Sequence, residues 1–425
     1  MLYTKAMKAE YEILPGLLEI VEKYLSENQL SELFSSISNV KQEESELLEQ
    51  RNNHKKNNSS DMQIRDDIRK QVDGIVTYAE RKLPKEKHLM LLNNLGKMTI
   101  ERGEFDLAKD VYSKILKFAM KDSRLENIAA YSLFSLGEIY NRQAQWKKSL
   151  QNIDRAYKLF KKQKDLKGMA KCENQIGAIH LGQGKISLSN KHFEKALSHL
   201  SFRRDKSVLA MMEGNIGTVK SIQGNFDLAY TFYRRALLKF EEAGNLKRVA
   251  EVRHNLGILL TQKKQYDLAL SEFDICLRIS LNINYLSTQG IAFLGKAYIY
   301  AIKDNLDLAI TYADRAMKIS HLLNDRLTSA EIYKVFGIIE RKRKNYLVSE
   351  NHFLTSLRIN KELENELNYA ETAFELGVLY NEAGREKDAA SYFRKAISYY
   401  KKIKADSEIT KIKLFIAGRN NNKAH

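Results

Sequence analysis

The chain has 425 residues, with 70 Lys and Arg against 53 Asp and Glu, for a formal charge of +17. Two prolines and 20 glycines leave helix free to run almost throughout, and two cysteines exclude a disulfide framework. No stretch approaches about 18 consecutive apolar residues, and Met1 to Lys8 lacks the apolar run of a secretory leader. A cytoplasmic protein with no membrane insertion is the expectation.

Residues 1–50 carry four Lys and ten Glu with no Arg or Asp, and read as an acidic N-terminal helical segment. Helix is expected over 3–34, divided or bent at Pro15-Gly16, with Leu17, Leu18, Ile20, Val21, Tyr24 and Leu25 forming an apolar stripe. This segment reads either as an acidic element that docks on the basic remainder of the chain or on a partner, or as an ordinary cap. Residues 51–60, Arg-Asn-Asn-His-Lys-Lys-Asn-Asn-Ser-Ser, have no apolar side chain and read as a flexible linker. Residues 61–85 form an amphipathic capping helix with Ile64, Ile68, Val72, Ile75, Val76 and Ala79 on one face, ended by Pro84.

From there to about residue 404 the chain repeats itself every forty residues. Gly96, Gly137, Gly177, Gly217, Gly257, Ala297, Gly337 and Gly377 hold one register, the first a single residue out of step. Twelve residues later stand Ala108, Ser149, Ser189, Ala229, Ala269, Ala309, Ser349 and Ala389. Sixteen later the residue is mostly large: Tyr112, Ile153, Phe193, Tyr233, Phe273, Ala313, Phe353, Phe393. Nineteen later come Ile115, Ala156, Ala196, Ala236, Cys276, Ala316, Ser356 and Ala396. A fixed period of this length marks a stacked-repeat architecture. Glycine inside a helix costs roughly 1 kcal/mol against alanine, so its recurrence points to close helix packing. Small residues let two antiparallel helices approach, and the large one fills the space beside them. No such hairpin buries its apolar face alone, so stability comes from stacking. Eight hairpins are expected over 86–404, the sixth weakest because alanine stands at both the anchor and the bulky position. A closing helix over 405–417, N-capped by Asp406, and a disordered tail over 418–425 complete the chain.

This pattern resembles the tetratricopeptide repeat. The forty-residue period, with Asn-x-Gly followed by Gly-Asn-Phe-Asp-x-Ala at 215–229, is similar to repeats of Pins-type spindle-orientation adaptors, and comparable long repeats occur in kinesin light chains and bacterial signalling proteins. The resemblance implies an all-α, right-handed solenoid of about eight hairpins whose first helices line a concave groove. It also implies a protein or peptide partner in that groove, with the residue two before each anchor facing it. Asn94, Gln175, Asn215 and Asn255 are then candidates to hold a peptide backbone, joined by Asn141, Arg142 and Arg341 four or five residues after their anchors. Gly295, Val335 and Glu375 share the register. The competing reading is that these polar residues are hydrated or bonded to a neighbouring helix.

Beyond residue 50 the chain carries 66 basic and 43 acidic residues. Nucleic acid is therefore a second partner class, set against a plainer account in which lysines at helix ends, such as Lys263-Lys264, complement helix dipoles. The favoured function is a non-catalytic interaction scaffold. The alternative is a peptide-responsive regulator similar to aspartate phosphatases that join a helical bundle to these repeats. No cofactor or metal is expected: His192 and His199 find no third ligand and read as surface residues. Gly182-Gln183-Gly184-Lys185 lacks the spacing and the preceding strand of a phosphate loop. The oligomeric state is not legible.

Overall fold

A computed structural model describes residues 16–37, 60–200 and 206–422, all helix and short turns, with no strand among them. Residues 1–15 and 38–50 of the expected acidic N-terminal segment, 51–59 of the linker and the last three residues of the tail lie outside that set. Leu17–Val21 and residues 27–37 are helical, followed by Ser60–Lys82. Eight hairpins then succeed one another, each with a first (A) and a second (B) helix. Hairpin 1 is Lys85–Glu101 with Phe105–Ala119, and hairpin 2 is Glu126–Arg142 with Trp146–Lys162. Hairpin 3 is Leu166–Gly182 with Ile186–Ser198, and hairpin 4 is Lys206–Ile222 with Phe226–Glu242. Hairpin 5 is Leu246–Gln262 with Tyr266–Asn282, and hairpin 6 is Leu286–Ile302 with Leu306–Leu322. Hairpin 7 is Arg326–Lys342 with Tyr346–Glu362, and hairpin 8 is Glu366–Glu382 with Glu386–Lys402. A closing helix, Asp406–Asn422, runs five residues past the expected end at 417.

Local sequence accounts for these boundaries. Asp165, Asn245, Asn305, Asp325 and Asn365 each accept a hydrogen bond from the backbone amide three residues on, satisfying a donor the first helical turn leaves free. Where the A helix ends, the chain turns through a left-handed residue. At Gly224 the φ of 81° is accompanied by Asn225 N–H donating to Lys220 O at 2.8 Å, which closes the helix C-terminus.

The core of each hairpin is the contact between its anchor and the residue sixteen later. A Cβ on Gly257 would lie 2.6 Å from the Phe273 ring, and one on Gly177 2.5 Å from Phe193. Ser149 and Ser349 Oγ donate to the anchor carbonyls of Gly137 and Gly337 at 2.6 and 2.7 Å. Serine at these two positions keeps its hydroxyl paired, whereas Ser189 Oγ at the same position of hairpin 3 is buried without a partner. In hairpin 6 Ala297 and Ala313 are both fully buried. An anchor methyl has no room beside a ring, so the two alanines belong together and the sixth hairpin is a matched variant. Gly295 is buried against Phe273 of the preceding hairpin, so that ring lies between two glycines.

The chain divides into two compact units, residues 1–132 and 133–425. In the first, Leu17, Leu18, Val21, Leu33, Val72, Ile75 and Leu89 are buried together with the apolar face of hairpin 1. Gly74 admits Ile37 of the 27–37 helix, and Tyr78 donates to Glu32 at 2.8 Å. In the second unit the stack curls until hairpins 2 and 3 meet hairpins 7 and 8. Trp146 Nε1 donates to Leu363 O at 2.6 Å, Tyr399 OH to Gly184 O at 2.9 Å, and Glu366 N–H to Gln183 O at 3.1 Å. Trp146 packs there with Ile179, Ala330, Ile359 and Leu363.

Between consecutive hairpins the cation just past an A helix reaches the first turn of the preceding B helix: Lys263 to Asp227, Lys303 to Asp267 and Arg343 to Asp307, at 3.1, 2.8 and 3.6 Å. Part of the helix-end lysine excess is thus spent on ion pairs as well as on dipoles. Such exposed pairs contribute about 0–1 kcal/mol each and fix register more than they stabilise.

Candidate peptide-binding channel

The residues that face one another inside the second unit lie mainly on A helices. Arg248 and Glu251 stand at the start of the hairpin 5 A helix, where the guanidinium meets the carboxylate at 2.7 Å. Tyr285, entering hairpin 6, donates its hydroxyl to the other Glu251 oxygen at 2.7 Å. Arg142, at the end of the hairpin 2 A helix, lies over the Tyr285 ring at 5.9 Å, and Lys247 over the same ring at 4.7 Å. Burial alone would raise the Glu251 pKa. The charges of Arg248, Arg142 and Lys247, with the Tyr285 hydrogen bond, outweigh it and hold the carboxyl at about 2. Burial pushes His254, one turn further along the same helix, down to about 4.

A second group lies on hairpins 7 and 8. Lys334 Nζ is 2.6 Å from both Glu331 and Glu371 carboxylates. Burial works against the ammonium, yet the two carboxylates raise its pKa. Glu331 is shifted up, burial prevailing over Lys334. Its Oε1 is buried with no hydrogen-bond partner, and Asn141 Oδ1 on hairpin 2 is in the same state. Arg341 pairs with Glu375 at 2.8 Å and Glu382 at 3.1 Å.

The seven residues singled out from the sequence have different fates. Asn94 belongs to the first unit and donates to Tyr24 OH at 2.7 Å. Gln175 is buried, at 8% exposure. Asn215 donates to Asn174 Oδ1 of the neighbouring A helix at 2.9 Å. Asn255 Oδ1 is 3.3 Å from His254 Nδ1. Asn141 and Arg142 belong to hairpin 2, and Arg341 is engaged by hairpin 8 as described. Gly295 and Val335, on the asparagine register, are buried. The structure joins Arg142 to Tyr285 and Glu251, which the pattern did not select, and gathers Glu331, Lys334 and Glu371 as a separate group. The available signal was the position six before the anchor, which is charged in four repeats, as Lys171, Glu251, Glu331 and Glu371, and uncharged in others, as Tyr131, Met211 and Ile291.

His192 is partly buried and its Nδ1 lies 2.7 Å from Glu173, which Lys195 also contacts at 2.5 Å, so it is a contact partner of Glu173 more than a free surface side chain. Among the described residues no group of three His, Cys, Asp or Glu is placed to hold a metal ion. No helix among them is long and apolar enough to cross a membrane. Cys172 and Cys276 are buried free thiols.

Paired helices at a forty-residue period, each built on a small anchor that six of the eight hairpins face with a ring, define a helical-repeat protein. The tetratricopeptide repeat family model matches residues 208–281 and 328–402, and the chain carries tetratricopeptide repeats there. No curated protein matches the sequence. Among solved structures it is similar to a chain of the APC/C hetero-tetramer Cut9-Hcn1, with 15% identity and a TM-score of 0.51, over 80% of this chain and 59% of that one. It is similar to NprR, solved in complex with its cognate peptide NprX, with 14% identity and a TM-score of 0.50, over 65% of this chain and 83% of that one. Aspartyl phosphate phosphatase F from Bacillus subtilis shares 14% identity at a TM-score of 0.49, over 91% of this chain and 95% of that one. At these identities the likeness is one of fold.

Proposed function

We propose that the chain is a non-catalytic interaction protein that holds a peptide or an extended protein segment in the channel of its second unit. The observation that carries this reading is the convergence of polar side chains from hairpins 2, 5, 6 and 7 with acceptors still unsatisfied, Asn141 Oδ1 and Glu331 Oε1. A buried acceptor without a donor costs about 1–3 kcal/mol, and an extended peptide supplies a donor at nearly every residue. NprR, which has the same fold, holds its peptide in its solved complex, a precedent that supports the reading. Asn215 and Asn255 take the part of backbone contacts, their present bonds to Asn174 and His254 exchanging for bonds to the segment.

The test is capture of partners from native cell extract on the immobilised full chain, at low and at high salt. Protein retained at high salt and lost with the Asn215→Ala/Asn255→Ala double variant, at unchanged helicity and melting, supports the channel. Retention of nucleic acid that disappears with salt overturns it in favour of the basic surface.

A further inference from the structure

The turn of hairpin 3 sits on the loop between hairpins 7 and 8, and a cavity of about 610 Å³ opens beside that seat. One wall is Lys185, which follows Gly184 in the hairpin 3 turn. The others are the end of the hairpin 7 B helix, the start of the hairpin 8 A helix and the end of the hairpin 8 B helix. None of the lining residues belongs to the charged groups of the channel. Twenty-three residues after the anchor, hairpins 2 and 4 carry the buried rings of Phe160 and Phe240, whereas hairpin 7 places the smaller Asn360 in the cavity wall. Hairpins 5 and 6 are small there too, with Ser280 and Ser320, but both hydroxyls have partners. Asn360 is fully buried, its Nδ2 donates to Ser356 Oγ at 3.3 Å, and its Oδ1 has no partner. Tyr369, Ala370 and Tyr399 supply apolar lining.

Four ammonium groups and two carboxylates also line the space. Glu366 is taken by Lys402 at 2.5 Å, and Glu364 faces Lys185 at 4.0 Å and accepts from Gln183 at 3.3 Å. Lys361 and Lys395 meet no carboxylate among the described residues, Lys395 lying over the Tyr392 ring at 4.0 Å. Of the carboxylates next to the lining residues, Glu362 pairs with Arg326 and Glu371 with Lys334. Two ammonium groups are thus in excess.

We propose that this cavity binds a small phosphate monoester with a planar body, of nucleoside monophosphate size. A phosphate monoester carries about −1.5 to −2 charges at neutral pH, which matches the excess of Lys361 and Lys395, and an ammonium group binds phosphate as a point charge. The planar body lies against Tyr369 and Tyr399, and a hydroxyl or amino group on it gives Asn360 Oδ1 the donor it lacks. The volume falls within the roughly 300–1,000 Å³ of small-molecule sites. Because Lys185 comes from hairpin 3 and the other walls from hairpins 7 and 8, the ligand also bridges the two sides of the contact between Tyr399 and Gly184. The site stands apart from the peptide channel and does not depend on it.

The test is equilibrium dialysis of the full chain against radiolabelled adenosine monophosphate, with adenosine, ribose 5-phosphate and inorganic phosphate as competitors at fixed ionic strength. The monophosphate is expected to bind, and each competitor to displace it at least about tenfold less well than its unlabelled form does. Lys361→Ala/Lys395→Ala is expected to weaken binding at least about tenfold. Lys318→Ala/Lys387→Ala removes the same charge from exposed positions outside the cavity and should leave binding unchanged. Asn360→Phe fills the space with the ring that hairpins 2 and 4 carry, and is expected to abolish binding with every lysine in place; the lysine variants decide the matter if it melts early. Absence of binding to the unmodified chain, a competitor that displaces as well as the monophosphate, or an equal loss in the two lysine variants overturns the proposal.

Discussion

The indole N–H of Trp146 donates to the carbonyl of Leu363 at 2.6 Å, although 217 residues separate them. Trp146 opens the second helix of hairpin 2, and Leu363 follows the second helix of hairpin 7. Their contact, with that between Tyr399 and Gly184, closes the stack of the second unit upon itself. Repeat proteins ordinarily gain stability from neighbours alone; here non-neighbouring hairpins add a seam.

The seam is directly measurable because Trp146 is the only tryptophan in the chain. Tyr399→Phe removes the hydroxyl that donates to Gly184 O and leaves the ring in place. It is expected to lower stability by about 1 kcal/mol, the ordinary net worth of one hydrogen bond. A urea titration followed by Trp146 emission checks this, and an unchanged midpoint would mean that the seam contributes nothing.

The pairing of anchor and ring yields a double-mutant cycle. Gly257→Ala places a methyl 2.6 Å from the Phe273 ring and is expected to cost about 1–3 kcal/mol by overpacking. Phe273→Ala alone should cost about 3–5 kcal/mol through the cavity it leaves. The double variant copies Ala297 and Ala313 of hairpin 6, so the two costs should not add. Additive losses in chemical denaturation would show that hairpin 6 is not a matched pair.

Acid should weaken the second unit in two stages. His254 is held neutral by burial, with its pKa down at about 4 against an ordinary 6.5. Between those values the unfolded chain binds a proton that the folded chain refuses, so stability is full above 6.5 and falls as pH drops toward 4. The slope is at most about 1.4 kcal/mol per pH unit for one such group. Glu251, held at about 2 against an ordinary 4.5, has its contribution in place above 4.5 and loses it as pH falls toward 2. Melting temperature measured from pH 7 to 4 should decline, and His254→Gln should flatten the upper part of that decline. An equal slope in the variant would remove His254 as the cause.

Both thiols should be silent in the folded state. Cys172 and Cys276 are fully buried, and burial pushes the Cys276 thiol up to about 12 and raises Cys172 as well. The thiolate is the reactive form. A thiol-specific reagent at neutral pH is therefore expected to label neither until urea unfolds the chain, and then both. Rapid labelling of the native protein would show that one of the two helices opens locally.

How much of this was legible beforehand depends on the range of the interaction. Gly257 and Phe273 lie sixteen residues apart on two helices joined by one turn, so their contact repeats in sequence wherever the hairpin repeats in space. The side of each A helix that faces the channel is a different matter. The asparagine register put Gly295 and Val335 in the groove, yet both are buried between hairpins, because a shift of one residue on a helix turns a side chain by roughly 100°. Charged positions six before the anchor carried a signal, but nothing in their local spacing marked which of them would meet.

The amino-acid sequence by itself determined the helices, their turns and their pairing, since those rest on contacts within a hairpin and between consecutive hairpins. Tertiary structure alone decided that Trp146 meets Leu363 and that Arg142 reaches Tyr285. Each hairpin is rotated slightly on the last. The sum of those rotations over five hairpins, which no single repeat encodes, brings residues more than a hundred positions apart to the same place.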